Sequence, residues 1–317
     1  MNTSKSKVVL VALAGNLGVA VTKFVAAALT GSSAMVSEGI HSLVDTVNEL
    51  LLLYGMQRAD RPRDAKHPFG HGRELYFWSF IVALLVFALG AGISFYEGLS
   101  HLSSPIPIER PLINYVVLAL SFAFEASSWW IAFKTFRASK GTLGYFDAFR
   151  RSKDAPTFTV LFEDTAALLG LLIAFAGIAG AQALAMPQLD AMASLGIGVV
   201  LAVSSLLLAR ETKGLLIGEP ALVSVRASIL RIASADRGTR TANGVFTVQL
   251  GPNQILAALS VEFEDALTTT DIEASVNRVE SAIMKAHPDI SVLFVKPQTA
   301  ETWHLRTACF GNLLDEA

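Results

Sequence analysis

The chain has one cysteine, few charges and no basic excess. Cys309 alone can build neither a disulfide framework nor a thiolate zinc site. Charged residues are 16% of the 317 positions, against about 25% in an ordinary soluble domain. With 25 Lys and Arg against 27 Asp and Glu, the formal net charge is −2, and nothing points to a nucleic-acid partner. The start, Met1-Asn-Thr-Ser-Lys-Ser-Lys7, is short and arginine-poor, so no transit peptide is expected. The apolar run after it, Val8 to Leu29, is long for a signal-peptide core and lacks an obvious cleavage site.

What is abundant is apolar residues, 52% of the chain, with a mean hydropathy of +0.50. A membrane span needs about 20 mostly apolar residues. Six stretches qualify: Val8–Leu29, Ala34–Met56, Leu75–Leu99, Leu112–Phe136, Thr157–Ile178 and Leu189–Ala209. After Gly214 charged residues return and no later stretch could span. The expected organisation is a transmembrane domain over residues 1–213, a soluble domain over 214–297 and a tail over 298–317.

The basic residues set the orientation. Lys5 and Lys7 precede span one. Arg58, Arg61, Arg63, Lys66 and Arg73 lie between spans two and three; Arg137, Lys140, Arg150, Arg151 and Lys153 lie between four and five; Arg210 and Lys213 follow span six. The opposite connections carry only Arg110. Both termini and the soluble domain are expected in the cytoplasm, with the spans in a bacterial inner membrane. The tight connection Thr30-Gly-Ser-Ser33 predicts an antiparallel hairpin of spans one and two.

The soluble part reads as helix Ala221–Ala235, strands Gly244–Leu250 and Ile255–Glu264 around a turn at Gly251-Pro-Asn253, helix Thr270–Ala286 and strand Ser291–Val295. Thr270 with Glu273 offers a capping box. The order αββαβ predicts a small α+β layer pair. The tail after Lys296 shows no pattern.

The informative residues are polar ones at membrane depth, where an ionisable side chain costs roughly 2.5–3.5 kcal/mol on insertion scales. Span two carries Glu38, His41, Asp45 and Asn48 at i, i+3, i+7, i+10, which is one helical face, together with Glu49. Such a stripe must face a cavity or other helices. His41 and Asp45, one turn apart, are good ligands for a divalent transition metal. Span five carries Glu163 and Asp164; as helical neighbours about 100° apart they cannot aim equally at one point. Span one carries Asn16 and Lys23, and span four Glu125. Several carboxylates around one histidine leave surplus negative charge, costly to bury without a cation or a proton. Plain interhelical hydrogen bonds are the alternative for Asn16 and Asn48, and an ion pair with Glu38 or Glu125 is the expected role of Lys23. In the cytoplasmic loop, Asp64-Ala-Lys-His67-Pro-Phe-Gly-His71 supplies three more ligand types within a few residues.

Two segments resemble the cation diffusion facilitator family of divalent-metal transporters: Gly31-Ser-Ser-Ala-Met-Val-Ser-Glu-Gly-Ile-His41-Ser-Leu-Val-Asp45 and His67-Pro-Phe-Gly-His71-Gly-Arg73. Leu161-Phe-Glu-Asp164-Thr-Ala-Ala-Leu-Leu-Gly170 is similar to the branch that includes animal zinc transporter nine. The resemblance implies an all-α domain of six transmembrane helices and a ferredoxin-like αββαβ cytoplasmic domain that dimerises. It implies a transport site with His41 and Asp45 from span two and Asp164 from span five. The family's first span-five ligand position is Val160 here, so Glu163, Asn48 or water would complete the set. Asp64, His67 and His71 match the family's loop site. The second-strand histidine of the soluble domain corresponds to Ser260; His287 and Asp289 are candidate ligands there, and the domain is expected to be mainly a structural dimerisation module.

The function expected is a homodimeric antiporter, not an enzyme, that exports Zn²⁺ from the cytoplasm in exchange for protons. Zinc is its substrate and a regulatory ion; no prosthetic group is expected. Fe²⁺, Co²⁺ and Mn²⁺ suit the same donors. The rivals are an intramembrane metal-dependent enzyme, which would need more histidines than the one within these spans, and a metal-responsive scaffold, which would not need a polar stripe.

Overall fold

The computed structural model describes residues 3–139, 144 and 155–308. Cys309 and the basic residues Lys140, Arg150, Arg151 and Lys153 lie outside them. The chain divides into two compact units.

The first unit, residues 1–57 and 74–213, is built of long helices: α1 (Thr3–Thr30), α2 (Ser33–Ala59), α3 (Arg73–Leu85), α4 (Gly92–Ser103), α5 (Pro111–Ser139), α6 (Ala155–Ala183) and α7 (Gln188–Ile217). α3 and α4 are one apolar rod interrupted by a π-helical turn at Val86–Ala91. Among the described residues, four stretches are long and apolar enough to cross a membrane: Arg73–Ser103, Pro111–Ala138, Phe158–Ala183 and Gln188–Ile217. At 27 residues α2 has the length, about 40 Å at 1.5 Å per residue, but it carries Glu38, Asp45 and Glu49.

α1 and α2 run antiparallel, as the short connection predicts. Lys23 meets Glu38 and Ser42, and further from the turn Asn16 meets Glu49. Gly31 makes the reversal at φ +71°, and its N–H caps the Ala27 carbonyl at 2.8 Å. The first turn of α2 is held from another helix. Asp190, buried near the start of α7, accepts from Ser32 Oγ (2.7 Å) and from the Ser33 backbone N–H (2.6 Å) and Oγ (3.1 Å). The Ser33 N–H is one of the backbone donors a helix N-terminus otherwise leaves unmet. One turn on, Ser37 bonds Ser194, which in turn donates to the Ser94 carbonyl. The core of this unit includes Met35, Val44, Val86, Leu118, Leu171, Ile178, Ile197 and Leu201.

The second unit holds residues 58–73 and 214–317. The loop between α2 and α3 therefore groups with the C-terminal part, where the sequence reading had it in the domain 1–213. Arg63 donates to the Ser291 carbonyl at 3.0 Å. The unit contains α8 (Val223–Ser234), β1 (Thr239–Gly251), β2 (Gln254–Phe263), α9 (Thr269–Ala286), β3 (Ile290–Pro297) and α10 (Ala300–Thr307). The sheet order is β1-β2-β3, with β1 antiparallel and β3 parallel to β2. Ile229, Ala233, Val279 and Ile283 of the helices pack on Ala257, Leu259, Val261 and Leu293 of the sheet.

Two details correct the sequence reading. α9 is capped by Thr268, whose side chain and backbone exchange hydrogen bonds with Asp271, not by Thr270 and Glu273. The tail is not patternless: α10 forms there, with Thr299 as its cap and Trp303 buried 5.1 Å from the Phe246 ring on β1.

Candidate functional site

α2 is polar inward and apolar outward. Glu38, His41 and Asn48 are fully buried, while Leu43, Val47 and Leu50 on the opposite side are exposed. The polar side meets α6 directly: Asn48 Nδ2 donates to Glu163 Oε1 at 2.8 Å. Asp164, the next residue, turns instead toward α5 and accepts from Ser128 Oγ at 2.9 Å. The 100° between neighbours thus gives the two carboxylates different partner helices.

Both still face one space. A small polar cavity between α1, α2, α5 and α6 is lined by Asn16, Asp45, Glu49, Glu125, Glu163 and Asp164, with Ser42 and Ser128 at its wall. Val160 lines it too and offers no ligand atom. His41 lies outside this lining. Its Nδ1 is 3.4 Å from Asp45 Oδ1, yet neither ring nitrogen has a hydrogen-bond partner, nor has Asp45 Oδ1. Buried polar atoms left bare cost about 1–3 kcal/mol each; a ligand that meets them removes that cost. Lys23 pairs with Glu38 at 2.9 Å, both fully buried, as the sequence reading expects.

The loop residues form a second cluster, in the second unit. Asp64, His67 and His71 bring ligand atoms within 4.8 Å of one another, and among the described residues they are the one such group of three. The residues His41, Asp45 and Asp164 are not drawn together that tightly. In the loop, Asp64 Oδ1 accepts from the backbone N–H of His67 (2.7 Å) and Lys66 (2.8 Å). His71 Nε2 lies 3.2 Å from Asp64 Oδ2. The backbone N–H of His67 is the main cause holding the Asp64 carboxyl below its ordinary range, helped by the His71 side chain. Gly70, at φ +91°, turns the chain back so that His71 reaches its neighbours. His71 is buried, and its Nδ1 has no hydrogen-bond partner.

His287 and Asp289 join no group of three ligands among the described residues. Ser260 is buried and accepts a hydrogen bond from Asn243 at 3.1 Å, a structural arrangement. Sequence reasoning missed Ser128 and Asp190. Ser128 lies three residues after Glu125, so helical spacing from that carboxylate could have found it; nothing local marks Asp190.

Residues 9–217 match the family model of the cation efflux transmembrane domain. The chain belongs to the cation efflux family. This cation efflux protein is 31% identical over 299 residues to the proton-coupled zinc antiporter SLC30A9, mitochondrial, of Xenopus laevis, covering 92% of this chain and 53% of that one. The human protein of the same name is 32% identical over 265 residues, covering 83% and 47%. The cation-efflux pump FieF of Cronobacter sakazakii is 27% identical over 269 residues, 83% of each chain. The chain thus spans about half the length of the antiporters it matches. Family and apolar helices together make it a multi-pass membrane protein.

Proposed function

We propose that this chain is a proton-coupled exporter of divalent cations, with Zn²⁺ as its substrate. The observation that carries the reading is one cavity shared by Asp45 of α2 and Glu163 and Asp164 of α6, on helices joined by the Asn48–Glu163 hydrogen bond. Negative groups gathered at membrane depth are expensive unless a cation or protons balance them.

In this reading the first unit crosses the membrane six times. α1 and α2 are spans one and two, and the charged face of α2 is turned inward. His41, Asp45 and Asp164 bind the metal. Glu163, Asn48 or water supplies the remaining donor in place of Val160. Closure from the arrangement described here brings His41 and Asp164 onto one ion. Metal and protons compete for the same atoms, because a carboxylate or imidazole must be deprotonated to coordinate. Alternating access then turns a proton gradient into metal export.

Both termini are cytoplasmic, in a bacterial inner membrane, and export runs from the cytosol. The loop triad Asp64, His67 and His71 takes a second, regulatory ion, its donor set being hard-to-borderline and close-packed. The second unit is a ferredoxin-like dimerisation module. The relatives' names, proton-coupled zinc antiporter and cation-efflux pump, favour transport over hydrolysis and zinc over other divalent ions.

The test is metal content and competition on the purified full chain. Wild type should bind zinc ahead of Mn²⁺, and His41→Ala and Asp164→Ala should each bind at least one ion fewer. Equal zinc content in all three proteins refutes the site.

A further inference from the structure

Among the described residues, Lys23 is the one lysine or arginine buried from solvent. Its ammonium makes two contacts of different kinds. It donates to Glu38 Oε2 at 2.9 Å and to Ser42 Oγ at 2.7 Å. Ser42 belongs to the wall of the polar cavity and lies three residues before Asp45. Glu38 lies outside that lining, a turn farther along α2 toward the Ser33 end. Lys23 lies outside the lining as well, but its ammonium touches the wall through Ser42, so the positive end of the pair is the one joined to the cavity.

Stability does not account for such a pair. Taking both charges out of water costs several kcal/mol per ion, and well-packed apolar residues of similar size hold helices together as well or better. What the pair supplies is a fixed positive charge behind the Ser42 wall, on the Asp45 side of the cavity. A site that passes ions must bind well enough to fill and weakly enough to empty.

We propose that Lys23 is a positioning residue of the transport site: its resident positive charge, presented through Ser42, weakens cation binding in the cavity and so promotes release. The role rests on the transport reading given above. Coulomb repulsion between an ammonium and a divalent ion acts over several ångströms in a partly dry cavity. Lys23 also keeps Glu38 neutralised, so that this carboxylate does not compete for the metal.

The experiment measures Zn²⁺ affinity of the full chain in detergent, by competition with a chromogenic chelator, and Zn²⁺ flux in liposomes. Lys23→Met alone strands Glu38 as a buried unpaired charge, so the informative variant is Lys23→Met with Glu38→Gln, which removes both charges. It should bind zinc about tenfold more tightly and turn over more slowly. Lys23→Arg, which keeps the charge, should stay within about twofold of wild type in affinity. Unchanged or weaker zinc binding in the double variant, or its failure to fold, makes the pair a structural strut and overturns the role. Wild-type protein that binds no zinc overturns the transport reading and this role together; intact wild-type binding with an unaltered double variant overturns only the role of Lys23.

Discussion

Asn48 and Glu163, 115 residues apart in the chain, meet in a hydrogen bond of 2.8 Å buried from solvent. That bond joins α2 to α6 at the wall of the polar cavity. Asn48→Ala removes the donor and leaves Glu163 Oε1 unmet, at a cost of about 1–3 kcal/mol. We expect a lower unfolding temperature for the purified variant and weaker zinc binding. A variant that melts like wild type would mean that the bond holds nothing in place.

The loop triad predicts a metal stoichiometry separable from transport. His71 is the buried member, with its Nε2 3.2 Å from Asp64 Oδ2. His71→Ala and Asp64→Ala should each remove one zinc per chain while leaving the zinc lost in Asp45→Ala in place. Elemental analysis of the single and double variants checks this. Identical metal content in wild type and His71→Ala would remove the loop from the metal-binding residues.

Asp190 holds the first turn of α2 from α7. Replacing it with alanine strands the Ser33 N–H and two hydroxyls away from water, and about 2 kcal/mol of stability should go. Asp190→Asn keeps one acceptor oxygen and should lose less. Thermal unfolding in detergent ranks the three proteins; equal stability would show that water or a neighbour replaces the carboxylate.

The second unit offers a prediction about acid. Hydrogen bonds from Arg278 and Ser275 and from the Gly238 N–H lower the Asp236 carboxyl from 3.8 to about 2, Arg278 being the main cause. Because the folded value is the lower one, the stabilisation is present above about pH 4 and is lost as pH falls toward 2. Arg278 is 40% exposed, so solvent screening keeps the contribution small. Asp236→Asn should be less stable than wild type at pH 7, and the gap should close below pH 4. A gap that stays constant with pH would assign the loss to packing instead of charge.

Much of this arrangement is legible in the amino-acid sequence. The spacing of Glu38, His41, Asp45 and Asn48 marks one face of α2, and the structure turns that face inward. The αββαβ order follows from strand alternation and helix periodicity that stand out once the apolar spans end. What escaped depends on contacts between distant segments or on choices the local chain leaves open. Three consecutive threonines, 268 to 270, are equally good caps for α9, and Asp271 decides for the first. α10 is a helix because Trp303 has a sheet to bury against. The π-helical turn at Val86–Ala91 has no proline to announce it. The grouping of loop 58–73 with the second unit depends on contacts such as Arg63 to Ser291, 228 residues away. Asp190 reads in sequence as an ordinary acidic residue at a helix start, and only the fold brings it to Ser32 and Ser33.

In the proposed transport cycle the carboxylates between α2 and α6 carry zinc against protons. Zinc flux into liposomes holding the purified chain, with an imposed pH gradient, tests that cycle for wild type and Asp45→Ala. Wild type should show gradient-driven zinc movement with a counterflow of protons, and the variant neither. Zinc flux in Asp45→Ala at the wild-type rate, or flux in wild type indifferent to the gradient, would contradict it.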